Sequence, residues 1–348
     1  MDPERKLPSR DHVPRKRRQP VALSSATLVG EQPYDDTGHV LLVRPSFAAI
    51  DLGTWAGENR EWIETRLAQW GGILFRGFQI SSAAALDRIL PIVAGDPLAY
   101  RERSSPRSVV SGNVYTSTEH PPDQTIFLHN ENSYQHQWPT RVFFCCVTPA
   151  ETGGQTPIAD TRRVYERIDP AIRQRFADRG VMYVRNFGEG LGLPWQTVFQ
   201  TDDPAAVETY CAKAGILCTW REGHRLTTKQ VRPAVAKHPR TGEMVWFNHA
   251  TFFHVTTLDA SIRDALVAQF REEDLPNNTY YGDGQPIEAS VMDELRGAYA
   301  EATRMFPWET GDLLLLDNML MAHGRAPFTG SRSILVGLAA PRSWAEFS

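Results

Sequence analysis

Apolar runs with strand character occur near the beginning of this 348-residue chain and again in its last third, with helical patterns between them. That distribution limits the fold more than any single motif does. His39 to Arg44 and Ile73 to Phe75 read as early strands, and Ile126 to Glu131 and Val142 to Val147 as middle ones. Met244 to Asn248, Asp312 to Leu316 and Ser333 to Leu338 read as late strands. Glu61 to Trp70, stopped by Gly71-Gly72, and Ser82 to Val93, with a Ser start, carry apolar residues at helical spacing. Thr161 to Phe176, Pro204 to Ala214, Asp259 to Glu273 and Glu288 to Met305 do the same. Trp138-Pro139 reads as a turn, and Tyr100 to Gly112, rich in Arg and Ser, as a loop bordering a polar site. Strands early and late with helices inserted between them call for a sheet sandwich or barrel closed by distant segments, a mixed α+β architecture.

Composition narrows the class. With 41% hydrophobic residues the chain has ample material for a core. No apolar run approaches the roughly 20 residues needed to span a bilayer, so no membrane helix is expected. Residues 1–20 carry seven Lys and Arg against three Asp and Glu, and they lack the apolar stretch of a secretory signal. They read as a disordered basic tail before a single domain over residues 21–348, with the cytoplasm as the expected compartment. A docking arm for an acidic partner is the functional alternative for that tail. The remainder is acidic, at -8, with no basic stripe, which argues against nucleic-acid binding. Cys145, Cys146, Cys211 and Cys218 form no CxxC pair and read as reduced, mostly buried thiols. Oligomeric state is not legible in the sequence.

His129-Asn130-Glu131 places an imidazole and a carboxylate at i and i+2, a spacing that on a strand points both at one face. Alone the pair means little, because His and acidic residues meet at that spacing by chance. A facial site of two His and one carboxylate needs a second His from a distant strand and leaves three metal positions open. His323 fits, since it follows the apolar run Leu313 to Leu316 and precedes Arg332 by nine residues, at the edge of another strand. An Arg there suits a carboxylate through a planar two-point contact. His254 is the rival, because Arg263 also follows it by nine residues, but Arg263 falls inside a helical pattern.

The segments LHNENSY, GGQTPIAD and LLDNMLMAHGRAPFTGSRSILVG resemble the TauD/TfdA-type Fe(II)/2-oxoglutarate oxygenases, in particular the branch named for the syringomycin biosynthesis protein SyrP. The resemblance covers roughly residues 100–341. It implies a double-stranded β-helix (jelly-roll) core with flanking and inserted helices, iron held by His129, Glu131 and His323, and 2-oxoglutarate held by Thr156 and Arg332. Two departures stand out: the carboxylate is Glu rather than the commoner Asp, and the spacing from His323 to Arg332 is shorter than in many relatives. Structural alternatives exist for the co-substrate pair, Thr156 ending a Gly turn and Arg332 capping a strand.

The same resemblance implies Fe(II) as cofactor with 2-oxoglutarate and O2 as co-substrates, and an amino acid or amino-acid derivative as substrate, sometimes tethered to a carrier protein, in natural-product assembly. Halogenating relatives replace the carboxylate with a small residue, so Glu131 implies hydroxylation instead, with epoxidation and desaturation left open. Arg107, Asn132, Tyr134 and Asn248 are candidate substrate contacts: Asn132 and Tyr134 flank the iron motif, and Arg107 suits a substrate carboxylate. Trp246 to Asn248 reads first as core packing, in which case Asn248 needs a polar partner. Two rival functions remain at this stage, a zinc hydrolase and a non-catalytic β-helix binding protein; no HExxH motif supports the first.

Overall fold

Alternation along one long strand divides the hydrophobic residues of the molecule into two layers. The computed structural model of the chain describes residues 28–35, 38–98, 102, 108–118, 120–188 and 192–347. In the strand Gln137–Thr148, Val142, Phe144 and Cys146 face one layer, while Phe143 and Cys145 face the other. The neighbouring strand Leu313–Asp317 is buried at every position, with Leu314 and Leu316 in the first layer and Leu313 and Leu315 in the second. A strand covered on both faces needs an unbroken apolar run, which LLLL supplies.

These two strands lie inside an eight-stranded sheet. Its spatial order is Val29–Pro33, Val40–Pro45, Gly72–Phe75, Leu313–Asp317, Gln137–Thr148, Ser333–Ser343, Val114–Thr116 and Val109–Ser111. Only the pairing of Val40–Pro45 with Gly72–Phe75 is parallel. Facing it is a four-stranded sheet of Thr303–Arg304, Ile158–Asp160, Met321–Arg325 and Ile126–His129. Side chains such as Val142, Phe144, Leu316, Val336, Ile158 and Met321 fill the space between the sheets. The helices Leu52–Glu58, Arg60–Trp70 and Ala83–Ala94 cover the back of the large sheet through Trp55, Leu67 and Ile89. Each fully buried side chain of this kind contributes about 1.5–3 kcal/mol. The result is the expected jelly-roll core with flanking and inserted helices.

Local differences from expectation have local causes. Trp138-Pro139 is not a turn but part of the long strand, where Pro139 faces Pro341. The helix expected over 161–176 breaks into Thr161–Arg167 and Pro170–Arg179, because Asp169 caps the second and Pro170 occupies its first position. A further four-stranded sheet is made of Leu217–Arg221, Arg225–Arg232, Val181–Phe187 and Asn277–Tyr281, none of them among the expected strands. Cys145 and Cys146 lie on opposite faces, and burial pushes both thiols up to about 12, leaving no reactive thiolate there. No helix among the described residues is long and apolar enough to cross a membrane. The basic tail of residues 1–20 lies outside the described residues.

Candidate active site

Strand pairing, not sequence proximity, brings the two metal-ligand histidine candidates together. Ile126–His129 runs antiparallel to Met321–Arg325, in a register that sets His129 opposite His323. Side chains directly opposite on such a pair share a face, and the two rings lie 4.6 Å apart. Gly324 permits the approach, since a Cβ there would sit 2.5 Å from the carbonyl oxygen of Ile126. Glu131 arrives differently. The strand stops at His129, Glu131 stands in the turn that follows, and Asn132 adopts φ +56°. Alternation along a strand therefore does not place Glu131; its main chain is hydrogen-bonded to Asn318.

One donor atom from each of His129, Glu131 and His323 lies within 4.8 Å of the others, and all three residues are buried. The Nε2 of His323 is 3.4 Å from Oε2 of Glu131. That exceeds the about 2.7–2.9 Å of a charge-assisted hydrogen bond. It is close to the about 3 Å expected between adjacent donors that each stand about 2.1 Å from one ion. The Nδ1 of His129 is 2.8 Å from the carbonyl oxygen of Phe127. A carbonyl only accepts, so Nδ1 carries the proton and Nε2 presents its lone pair. Two imidazoles and a carboxylate suit a ferrous ion. His249 packs against His129 at 5.1 Å, and burial, with His129 beside it, holds it well below the ordinary imidazole range.

Thr156 and Arg332 line the same cavity of about 430 Å³ as the two histidines. The turn before Thr156 requires glycine: a Cβ on Gly153, at φ +68°, would lie 2.1 Å from the carbonyl oxygen of Pro327. That turn presents the carbonyl of Gly154 to Nε of Arg332 at 2.9 Å, and Ser117 Oγ accepts from the same guanidinium at 3.3 Å. Among the described residues no carboxylate pairs with Arg332, and burial together with repulsion from Arg325 pulls its guanidinium down to about 10. A cation held this way favours an incoming carboxylate. Thr156 Oγ1 accepts from Trp308 Nε1 at 3.2 Å, which leaves the hydroxyl hydrogen to donate elsewhere. Phe252, Leu258, Ile262 and Leu266 give the cavity an apolar wall.

The other expected contacts fall elsewhere. Tyr134 is fully buried and donates its hydroxyl to the carbonyl of Glu102 at 2.5 Å. Asn248 donates to Ala234 O at 2.7 Å and accepts from Ala250 N at 2.9 Å, the polar partners its burial demands. Neither lines the cavity, and neither does the buried Asn132. The side chains of Tyr134 and Asn248 find their polar partners in the interior, and Asn132 is buried in the turn beside Glu131. Arg107 lies outside the described residues. Phe252, Trp308 and His249 carry no motif or spacing that marks them in the sequence. Arg325, two residues past His323, was legible as part of HGR but not in its contacts: it donates to the carbonyls of His120 and Gln124 at 2.8 Å each, and to that of Pro121.

Known proteins resemble this chain over most of its length. The family model described as taurine catabolism dioxygenase TauD, TfdA family, matches residues 40–339. The dapdiamide synthesis protein DdaC of Enterobacter agglomerans is 40% identical over 303 residues, 87% of this chain and 92% of that protein. A clavaminate synthase-like protein of Arabidopsis thaliana is 30% identical over 290 residues, covering 80% and 84%. Among solved structures, PvcB of Pseudomonas aeruginosa, described as an Fe, alpha-ketoglutarate dependent oxygenase from an isonitrile synthetic pathway, shares the fold. Its TM-score is 0.52 at 16% identity, over 91% of this chain and 93% of that one.

Proposed function

The chain belongs to the taurine catabolism dioxygenase TauD, TfdA family and is thus an oxygenase that uses Fe(II), 2-oxoglutarate and O2; within that activity, we propose the roles of its residues and its substrate class. His129, Glu131 and His323 hold the iron, Arg332 and Thr156 receive the distal carboxylate of 2-oxoglutarate, and the reaction hydroxylates a C–H bond of an amino-acid-derived substrate in natural-product biosynthesis. The observation that carries this reading is the convergence of the donor atoms of His129, Glu131 and His323, beside a cavity that the two histidines line together with Arg332 and Thr156. The relative that is a dapdiamide synthesis protein supports the biosynthetic setting.

The iron, when bound, supplies the chemistry that couples decarboxylation of 2-oxoglutarate to oxidation of the substrate. The protein contributes placement. His129, Glu131 and His323 would hold the ion, and the retained carboxylate of Glu131 would take the place that a halide would otherwise need. Arg332 anchors one end of the co-substrate through a guanidinium already oriented by Gly154 and Ser117. Phe252, Leu258, Ile262 and Leu266 keep water from the reacting side and take the aliphatic part of the substrate.

The test is a panel of amino acids supplied free, as amides and as carrier-bound thioesters, scored by mass with Fe(II), 2-oxoglutarate and O2. Oxygen-dependent gain of one oxygen atom, with succinate formed in step, is expected from one of these classes. Loss of two hydrogens would assign desaturation, and no coupled product from any class would remove the amino-acid reading.

A further inference from the structure

The ligand candidate that no strand places is the one with the most elaborate main-chain support. Glu131 sits past the end of the paired register, next to a residue in the left-handed region. In such a turn, small changes in backbone angles swing a carboxylate by ångströms. Asn318 meets this main chain from the other side. Its side-chain oxygen accepts the N–H of Glu131 at 2.8 Å, and its side-chain nitrogen donates to the carbonyl of Glu131 at 2.9 Å. The same nitrogen also donates to the carbonyl of Pro139 at 2.7 Å. Through its own backbone, Asn318 donates to Thr140 O at 2.9 Å and accepts from Asn130 Nδ2 at 2.6 Å. Asn318 and Asn130 are both fully buried.

We propose that Asn318 is a positioning residue for iron binding: its carboxamide clamps both main-chain groups of Glu131 and so sets where the carboxylate meets His323. The inference rests on the metal reading above. Asn318 lies in the turn that joins Leu313–Asp317 of the large sheet to Met321–Arg325 of the small one, and His323 is on the second strand. One side chain therefore ties the main chain of one ligand to the segment that delivers another, across both sheets. Chemistry restricts the position. Asp lacks the two donors and would set a carboxylate against the carbonyls of Glu131 and Pro139. Gln is longer by a methylene in a site with no exposed surface. Ala leaves the buried N–H and both carbonyls without these partners.

The experiment measures metal affinity, not turnover. Wild type, Asn318→Ala and Asn318→Asp are titrated with Co(II) without oxygen, in competition with a coloured chelator, and the visible spectrum of bound Co(II) is recorded. Thr161→Val is the comparator. Thr161 is fully buried and its Oγ1 donates to Met319 O at 2.5 Å, so this variant loosens the same segment without touching Glu131. Both Asn318 variants are expected to bind Co(II) about 10–100-fold more weakly with an altered spectrum, the cost typical of losing a group that orients a ligand. Thr161→Val is expected to lower the melting temperature while keeping affinity and spectrum. Wild-type affinity and spectrum in the Asn318 variants would overturn the clamp, as would equal weakening in Thr161→Val. If Asn318→Ala does not fold, Asn318→Asp, which keeps the volume, decides alone. Wild type that binds no Co(II), or a His323→Ala variant that binds it as tightly, would overturn the metal reading and the clamp with it.

Discussion

His323 with Arg332 and His254 with Arg263 share a nine-residue spacing, yet the two pairs do unlike things. His323 belongs to a strand, and the chain beyond it folds back through Phe328–Thr329, which pairs with Thr152–Gly153. Arg332 therefore returns to the cavity that His323 lines. His254 instead caps a short 3-10 turn, with Nδ1 2.8 Å from Thr256 Oγ1. The helix Ala260–Gln269 then carries Arg263 outward, where it pairs with its neighbour Asp264 at 3.1 Å. Equal spacing becomes a site only where the intervening chain reverses direction at the right place.

The largest difference between the pairs is expected in metal binding. His323→Ala should lose at least about 100-fold in Fe(II) affinity, beyond what removing a mere orienting group costs. His254→Gln should stay within about threefold of wild type, because its ring partners are Thr256 and the chain around it. Anaerobic titration of both variants checks this. A comparable loss in His254→Gln would erase the distinction.

The arginines sharpen it further. Arg332→Ala should weaken 2-oxoglutarate by about 100-fold, or about 2.7 kcal/mol, and Arg332→Lys by about tenfold, since an ammonium cannot copy the planar contact. Arg263→Ala should leave co-substrate affinity unchanged, its guanidinium being half-exposed and paired locally. Calorimetric titration of 2-oxoglutarate into the metal-loaded protein reads all three. An unchanged Arg332→Ala would remove it from the co-substrate end of the cavity.

What could be read from the sequence follows the range of the forces involved. Residues 204–214 and the leucines at 313–316 were legible because each is fixed by its own pattern, a capped amphipathic helix and a run buried on both faces. His129 and His323 were legible as a motif, although their meeting depends on a register between segments almost 200 residues apart. Glu131 was assigned for an incomplete reason, since the strand ends before it and Asn318, with no periodicity to mark it, takes over. Asn132 and Tyr134 flank the motif in sequence, yet nearness to a motif does not say which way a turn faces, and Tyr134 turns its hydroxyl to Glu102. The apolar residues Ile262 and Leu266 looked like any helix face, and only the folded chain shows them turned to the cavity.

The smallest expected effect concerns acid. Burial, with Arg296 adding repulsion, holds the His254 imidazole down to about 4, against an ordinary 6.5. Between those values the unfolded chain takes up a proton that the folded one refuses, so stability present above pH 6.5 is lost as pH falls toward 4. At pH 5 this linkage costs about 2 kcal/mol, from about 1.4 kcal/mol per unit. His254→Gln removes the titration while keeping a polar group beside Thr256. It should be less stable than wild type at pH 8 by about 1 kcal/mol, the worth of a hydrogen bond, and should close or reverse that gap at pH 5. Urea unfolding at the two pH values measures the change in the gap, in which His249 and the carboxylates common to both proteins cancel. Parallel acid losses would mean that His254 is not held neutral by its surroundings.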